Sequence, residues 1–181
     1  GTDGAIWGGE ILVAREHELG EQLYALQNAT GWILPPQDCW LLLRSLKTLP
    51  LRMERHCSSA LQIARWLQEH PRVTKVYFPG LEQHPGHDRA QKQQDGFGGM
   101  LSFRAESPEL ARQVLERIDL ISFAESLRGV ESLMTLPAVQ THGDIPEQER
   151  LRLGIDETLL RFSVGLENVS DLLADLRQAI A

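Results

Sequence analysis

Arg161 lies in the run Leu159-Leu160-Arg161-Phe162-Ser163-Val164, where apolar and polar side chains alternate as on a half-buried strand. Leu160, Phe162 and Val164 face one way, and Arg161 and Ser163 the other. A guanidinium projecting from a rigid strand suits two-pronged capture of a carboxylate. An ion-paired or solvated Arg on the polar face of a sheet fits the same pattern. Glu125, Ser126 and the adjacent pair Thr141-His142 are polar groups at expected strand ends or turns, where plain surface is the alternative. His84 and His87 are three apart, but no Cys, Asp or Glu stands near them at ligand spacing, so no metal site is expected. Gly96, Gly98 and Gly99 precede no Lys-Ser/Thr pair, so a strand entry is expected there and not a phosphate loop. Cys39 and Cys57 are not spaced as a disulfide framework or a zinc site, and read as small buried hydrophobes in helices.

The elements that must position these groups follow from pattern. Ala5–Ala14 reads as a short strand, and residues from about Glu16 to Gln27 as a helix with Leu19, Leu23 and Leu26 on one stripe. Pro35-Pro36 opens a long helical stretch that runs to about His70. Pro50 lies inside it and predicts a kink or break near Leu49. Arg44, Lys47 and Thr48 fall on this stretch, on a face read as solvated or inter-subunit. Val73–Phe78 reads as a buried strand ended by Pro79-Gly80. A polar helix is expected near Asp88–Gln94, and a strand over Gly99–Arg104. Ser107-Pro108 should start a helix that carries Leu110, Val114 and Ile118. Further strands are expected at Leu120–Ser126, around Leu133 and at Leu159–Val164, with a closing helix from about Ser170. This interleaving predicts an α/β class, with helices over a mixed or antiparallel sheet.

The chain has 181 residues, 42% of them hydrophobic, and a formal net charge of −7. That acidity without a basic block argues against nucleic acid or an anionic membrane as the main partner. Apolar runs are far shorter than the ~20 residues a membrane helix needs. No basic-then-apolar signal pattern opens the chain, so a cytoplasmic setting is expected.

Several strings then occur in fixed order. Cys39-Trp40-Leu41-Leu42-Leu43-Arg44-Ser45-Leu46-Lys47-Thr48-Leu49 precedes Leu51-Arg52-Met53-Glu54-Arg55-His56. Tyr77-Phe78-Pro79-Gly80-Leu81, His84-Pro85-Gly86-His87 and Gly96-Phe97-Gly98-Gly99-Met100-Leu101-Ser102-Phe103 follow. The last are Ala124-Glu125-Ser126-Leu127-Arg128-Gly129-Val130-Glu131-Ser132-Leu133, Pro137-Ala138-Val139-Gln140-Thr141-His142 and Leu160-Arg161-Phe162-Ser163-Val164-Gly165-Leu166-Glu167. From about Gly8 to its end the chain resembles the cystathionine γ-synthase/γ-lyase group of the Cys/Met-metabolism pyridoxal-phosphate enzymes.

The resemblance implies the carboxy-terminal part of a fold-type I enzyme. Residues 1–34 would end the large cofactor domain, 35–70 form a linking helix kinked near Pro50, and 71–181 form a small domain closing on substrate. It implies that Arg161 holds the substrate's α-carboxylate, with Ser126 beside it. Glu125 would stand at the mouth that senses the distal part of the substrate, and Thr141 with His142 near the entrance. Arg128 stands where the family usually has Gly, which leaves distal specificity open. Pyridoxal 5'-phosphate would be carried on a lysine in a Ser-x-Thr-Lys setting. Lys47, Lys75 and Lys92 are the lysines of this chain, and none has that setting, so the Schiff-base lysine is expected upstream and the chain alone inactive. The implied chemistry is γ- or β-elimination or replacement on cysteine or homoserine derivatives, with the Ala-Glu-Ser-Leu string on the γ side. The implied partners are the upstream cofactor domain and further copies in a homo-oligomer, a tetramer in the family. A non-catalytic assembly or docking module, or a carbon–sulfur lyase unit of a larger biosynthetic enzyme, remain alternatives.

Overall fold

The computed structural model describes residues 17–126 and 129–181; the expected strand Ala5–Ala14 lies outside them. Helix α1 spans His17–Thr30 and α2 Pro36–Leu46, with prolines at the N-terminus of α2, where a missing N–H costs nothing. Helix α3 then runs from Leu49 to Glu69. The expected long helix is therefore two helices, parted at Lys47-Thr48, and Pro50 falls in the first turn of the second. The chain separates into two compact units at this break, residues 1–48 and 49–181.

In the first unit the apolar stripes have little to pack against. Trp32, Ile33, Trp40 and Leu43 are exposed, and Ser45 is the one buried residue among those described there. Cys39 is exposed, not buried as expected; its helix turns it outward, with Sγ 3.6 Å from the carbonyl of Leu34.

The second unit continues through β1 (Val73–Tyr77), α4 (His87–Gln93), β2 (Met100–Ala105), α5 (Pro108–Arg117), β3 (Ser122–Phe123), β4 (Leu133–Thr135), α6 (Glu147–Arg152), β5 (Leu159–Ser163) and α7 (Val169–Ile180). The strands form one mixed sheet in the order β1-β2-β5-β4-β3, antiparallel except for the β3–β4 pair. Leu101, Phe103, Met134, Leu160 and Phe162 come from one face of that sheet. They join Ile63 and Leu67 of α3, Leu110 and Val114 of α5, and Leu172 and Leu176 of α7 in a single core. The Ser107 hydroxyl caps α5 by accepting the Leu110 N–H at 3.2 Å. Two strand expectations need correction. β1 is an edge strand, half exposed and irregular at Val73/Lys75, and it is Phe78 just beyond it that is fully buried. β3 is only two residues long, because Asp175 of α7 takes the N–H groups of Asp119, Leu120 and Ile121 at 2.9–3.0 Å before the strand can start.

A second set of polar contacts ties the loops to the sheet. The Glu167 carboxylate accepts the backbone N–H of Ser132 at 2.6 Å and its hydroxyl at 2.8 Å. The Ser132 oxygen in turn accepts the Gly165 N–H at 2.8 Å, and the Leu166 N–H reaches the Val130 carbonyl at 2.8 Å. Arg55 of α3 donates to the Glu167 carbonyl at 2.9 Å, and the His56 ring meets the Val164 carbonyl at 2.7 Å. Gly165 is enclosed by this cluster. A Cβ there would run into the Glu167 carboxylate, the Val130 carbonyl and Ser132 N. We expect Gly165→Ala to destabilise the protein by about 3 kcal/mol, the cost of overpacking a closed site. Thermal melts of Gly165→Ala and Gly20→Ala should differ sharply, since the Gly20 position is open.

Candidate substrate site on the polar sheet face

β5 is the central strand of the sheet, and its register sets the face opposite the core. Arg161 lies directly across from Ser102 of β2 on one side and Thr135 of β4 on the other, and Ser102 lies across from Tyr77 of β1. Tyr77, Ser102, Arg161 and Thr135 thus form one row across four strands, because paired residues share a face. Leu160 and Phe162, the neighbours of Arg161, are fully buried in the core on the other side. Two anchored neighbours hold the Cα of Arg161 in place, and only its long side chain remains to be oriented.

That orientation comes from one backbone group. Arg161 Nη2 donates to the Glu125 carbonyl at 2.7 Å. The structure thereby brings together Arg161 and Glu125, with exposed Ser126 next in the chain. Burial lowers the pKa of Arg161 from its usual value, an effect offset in part by the charge of Glu125; the guanidinium stays charged at any working pH. Among the described residues its other N–H groups have no hydrogen-bond partner and could meet a carboxylate. Leu127 and Arg128 lie outside the described residues.

Thr141 is held elsewhere. The turn after β4 is knitted by bonds from Val139 and Gln140 N–H to the Leu136 carbonyl at 3.1 Å, and from His142 N–H to Pro137 at 2.9 Å. Thr141 Oγ1 sits exposed, 2.8 Å from His142 Nδ1. Among the described residues no hydrogen bond joins Thr141 to Arg161. His84 and His87 serve the backbone: His84 Nδ1 accepts the Gly86 N–H at 3.1 Å, and His87 Nδ1 lies 2.8 Å from the Pro79 carbonyl. Among the described residues no group of three or more His, Cys, Asp or Glu could hold a metal ion. Gly98 N–H donates to the Cys57 thiol at 3.2 Å on the way into β2, a strand entry as the glycine pattern suggests.

Sequence reasoning passed over Arg104, one pleat along β2 from Ser102. Its guanidinium donates to the Tyr77 hydroxyl at 3.0 Å, to Thr158 Oγ1 at 3.2 Å, to Asp156 and to the Gly154 carbonyl. Asp156 Oδ1 also accepts the Thr158 N–H at 3.0 Å and hydroxyl at 2.6 Å. This network pins the segment that feeds β5, and hence Arg161. Tyr77 lies 27 residues from Arg104 in sequence and the other partners 50 or more, so no local motif marks them.

The three lysines provide the fit test for a cofactor bound as a Schiff base. Lys47 caps the C-terminus of α2, Lys92 is exposed on α4, and Lys75 on edge strand β1 holds its ammonium 4.9 Å from the Tyr77 ring. β2 separates β1 from β5. No lysine lies on the strands or loops that carry Arg161, Glu125 and Ser126. Arg161 brings charged donors to this sheet face, and none of the three lysines shares its strand or the Glu125 loop.

Comparison with known proteins gives this geometry a context. Residues 2–181 match the family model described as Cys/Met metabolism PLP-dependent enzyme. The chain is similar to the cystathionine beta-lyase of Coxiella burnetii, 49% identical over 97% of this chain and 46% of that protein. It is equally similar to the cystathionine gamma-lyase of Bacillus subtilis, 49% identical over 95% of this chain and 45% of that protein. It also superposes on a cystathionine gamma synthase of Xanthomonas oryzae crystallised with cystathionine, with TM-score 0.86 and 45% identity over 93% of this chain and 44% of that one. The chain thus spans a little under half the length of these relatives. No helix among the described residues is long and apolar enough to cross a membrane.

The Asp156 network gives a pH test. Burial favours the neutral acid, but hydrogen bonds from Thr158 and Arg104, with the Arg104 charge, outweigh it and hold the carboxyl below its usual value of 3.8. A depressed carboxyl stabilises the fold above its unfolded pKa, and this contribution disappears as pH falls through the folded pKa. The melting-temperature gap between the parent protein and Asp156→Asn should be full near neutrality and close as pH drops below 3.8. A gap independent of pH would remove the charge from the account.

Proposed function

This chain belongs to the Cys/Met metabolism family of PLP-dependent enzymes, and from that premise we propose that it is the carboxy-terminal, substrate-binding portion of an enzyme of sulfur amino-acid metabolism. The reaction class is γ- or β-elimination or replacement on cysteine or homoserine derivatives. β-lyases and γ-lyases are equally similar to the chain, so the class is drawn to include both. The observation that carries the reading is Arg161: half-buried, fixed on a central strand, oriented by the Glu125 carbonyl and open on its remaining donors. It binds the α-carboxylate of the substrate, and Ser126 stands beside that group. Glu125 faces the distal part of the substrate and Thr141 the entrance. Residues 71–181 act as the closing domain and 35–70 as the link, with α3 built into the core of the closing unit. Pyridoxal phosphate and its Schiff-base lysine belong to the upstream half of the complete enzyme. The exposed Trp32, Ile33, Trp40 and Leu43 support burial of the first unit in a larger assembly, with the upstream domain and further copies in a homo-oligomer as partners and the cytoplasm as its setting.

Those same apolar groups favour a second reading, a docking module without catalysis. Joining the chain to an upstream half that bears the Ser-x-Thr-Lys lysine separates the two. Turnover of cystathionine with pyridoxal phosphate supports the enzyme; a folded, cofactor-loaded joint protein without turnover supports docking. In the complete enzyme, Arg161→Ala should lower kcat/KM by about a hundredfold, mostly through KM, as expected for a lost charge-assisted pair. Arg161→Lys should recover only part, because the fork is lost while the charge stays. An unchanged KM for Arg161→Ala would remove this residue from the site.

A further inference from the structure

Gln140 follows directly on Leu136–Val139 in the turn after β4, and its side chain folds back over Thr135. The Gln140 carbonyl oxygen accepts the Thr135 hydroxyl and, at 3.1 Å, the Leu136 backbone N–H. The backbone donor decides which way the amide points, since the NH2 group could not accept from Leu136. Both acceptor directions of the oxygen are thereby filled. The NH2 end donates to no protein group among the described residues. Thr135 is fully buried and is the direct cross-strand partner of Arg161, so their Cα atoms are about 5 Å apart on one sheet face. Among the described residues, a fixed amide donor without a protein partner is thus anchored on the residue that pairs with Arg161 across the strands.

We propose that Gln140 is a specificity-determining residue whose NH2 group donates to the same substrate carboxylate that Arg161 grips. This rests on the carboxylate-binding reading of Arg161. Together the two give a planar anion donors from β5 and from the turn after β4, and a substrate with an amide or ester in that position would meet an unsatisfied donor. The step involves binding alone, with no bond made or broken.

Gln140→Glu in the complete enzyme is the discriminating variant. It keeps both acceptor contacts, and hence the turn, while replacing the donor by a negative charge facing the substrate carboxylate. KM for the amino-acid substrate should rise about tenfold or more, with kcat changed less. The ratio of variant to parent KM should fall as pH is lowered into the range where the introduced carboxyl protonates, because the acid form again carries a donor. A purely structural role in the turn predicts no such recovery. Gln140→Glu and Arg161→Lys should also be non-additive if they share one carboxylate. If Gln140→Glu does not fold, Thr135→Val with Gln140→Leu removes the buried hydroxyl and the donor together, and should raise KM without pH recovery. An unchanged KM in the folded Gln140 variant overturns the inference. If Arg161→Lys also leaves KM unchanged, the carboxylate reading itself has failed.

Discussion

The Glu167 carboxylate makes two bonds to Ser132, and through them the loops of the second unit acquire fixed positions on the sheet. The Ser132 hydroxyl is buried and does double duty, donating to Glu167 and accepting from Gly165. Each bond to a charged group contributes about 1.5–3 kcal/mol, and leaving any member unpaired in this closed space costs as much. The cluster therefore behaves as a unit. It joins the exit of β5 to the entry of β4, two strands already paired by register. Arg55 and His56 extend it to α3.

The division between the two faces of the sheet governs what Arg161 can do. On the core face, helices seal Leu160 and Phe162 from water and provide stiffness. On the other face, Arg161 sits half desolvated, enough to strengthen its attraction for an anion and too little to require a permanent carboxylate partner. Arg104, on the same face, shows the contrast. Four of its five N–H groups are taken by Asp156, Tyr77, Thr158 and Gly154, and so it acts as a clamp for its own chain. Two arginines of one sheet face are separated in role by whether the protein has already filled their donors.

Much of this was legible from sequence where the signal is local. Alternation over residues 159–164 gave the strand and the direction of Arg161, Ser107-Pro108 gave the start of α5, and Pro50 gave the break ahead of α3. The departures have a common origin in contacts between distant residues. Asp175 shortens β3 by capturing backbone donors from 54 to 56 residues away. The strand at Val73 is at an edge because the chain order of strands does not specify their spatial order. Cys39 reads as core by residue type, but its helix has no core to enter. α6 went unread because its six residues, Glu-Gln-Glu-Arg-Leu-Arg, carry too little apolar periodicity to announce a helix. The roles of Glu125, Ser126 and Thr141 came from family likeness, since a polar residue in a turn carries no chemical signal of its own.

The position of the lysines bears on how recognition relates to chemistry. An amine that forms a Schiff base must be desolvated and close to the bound substrate. Lys75 is instead exposed on an edge strand, with its ammonium over the Tyr77 ring. Arg161 stands two strands away. A sheet that stiffens Arg161 suits the proposed role of holding substrate. Positioning of that kind has catalytic value only relative to a reacting group, because a clamp that is rigid in its own frame converts binding into orientation once that group is supplied at a fixed distance.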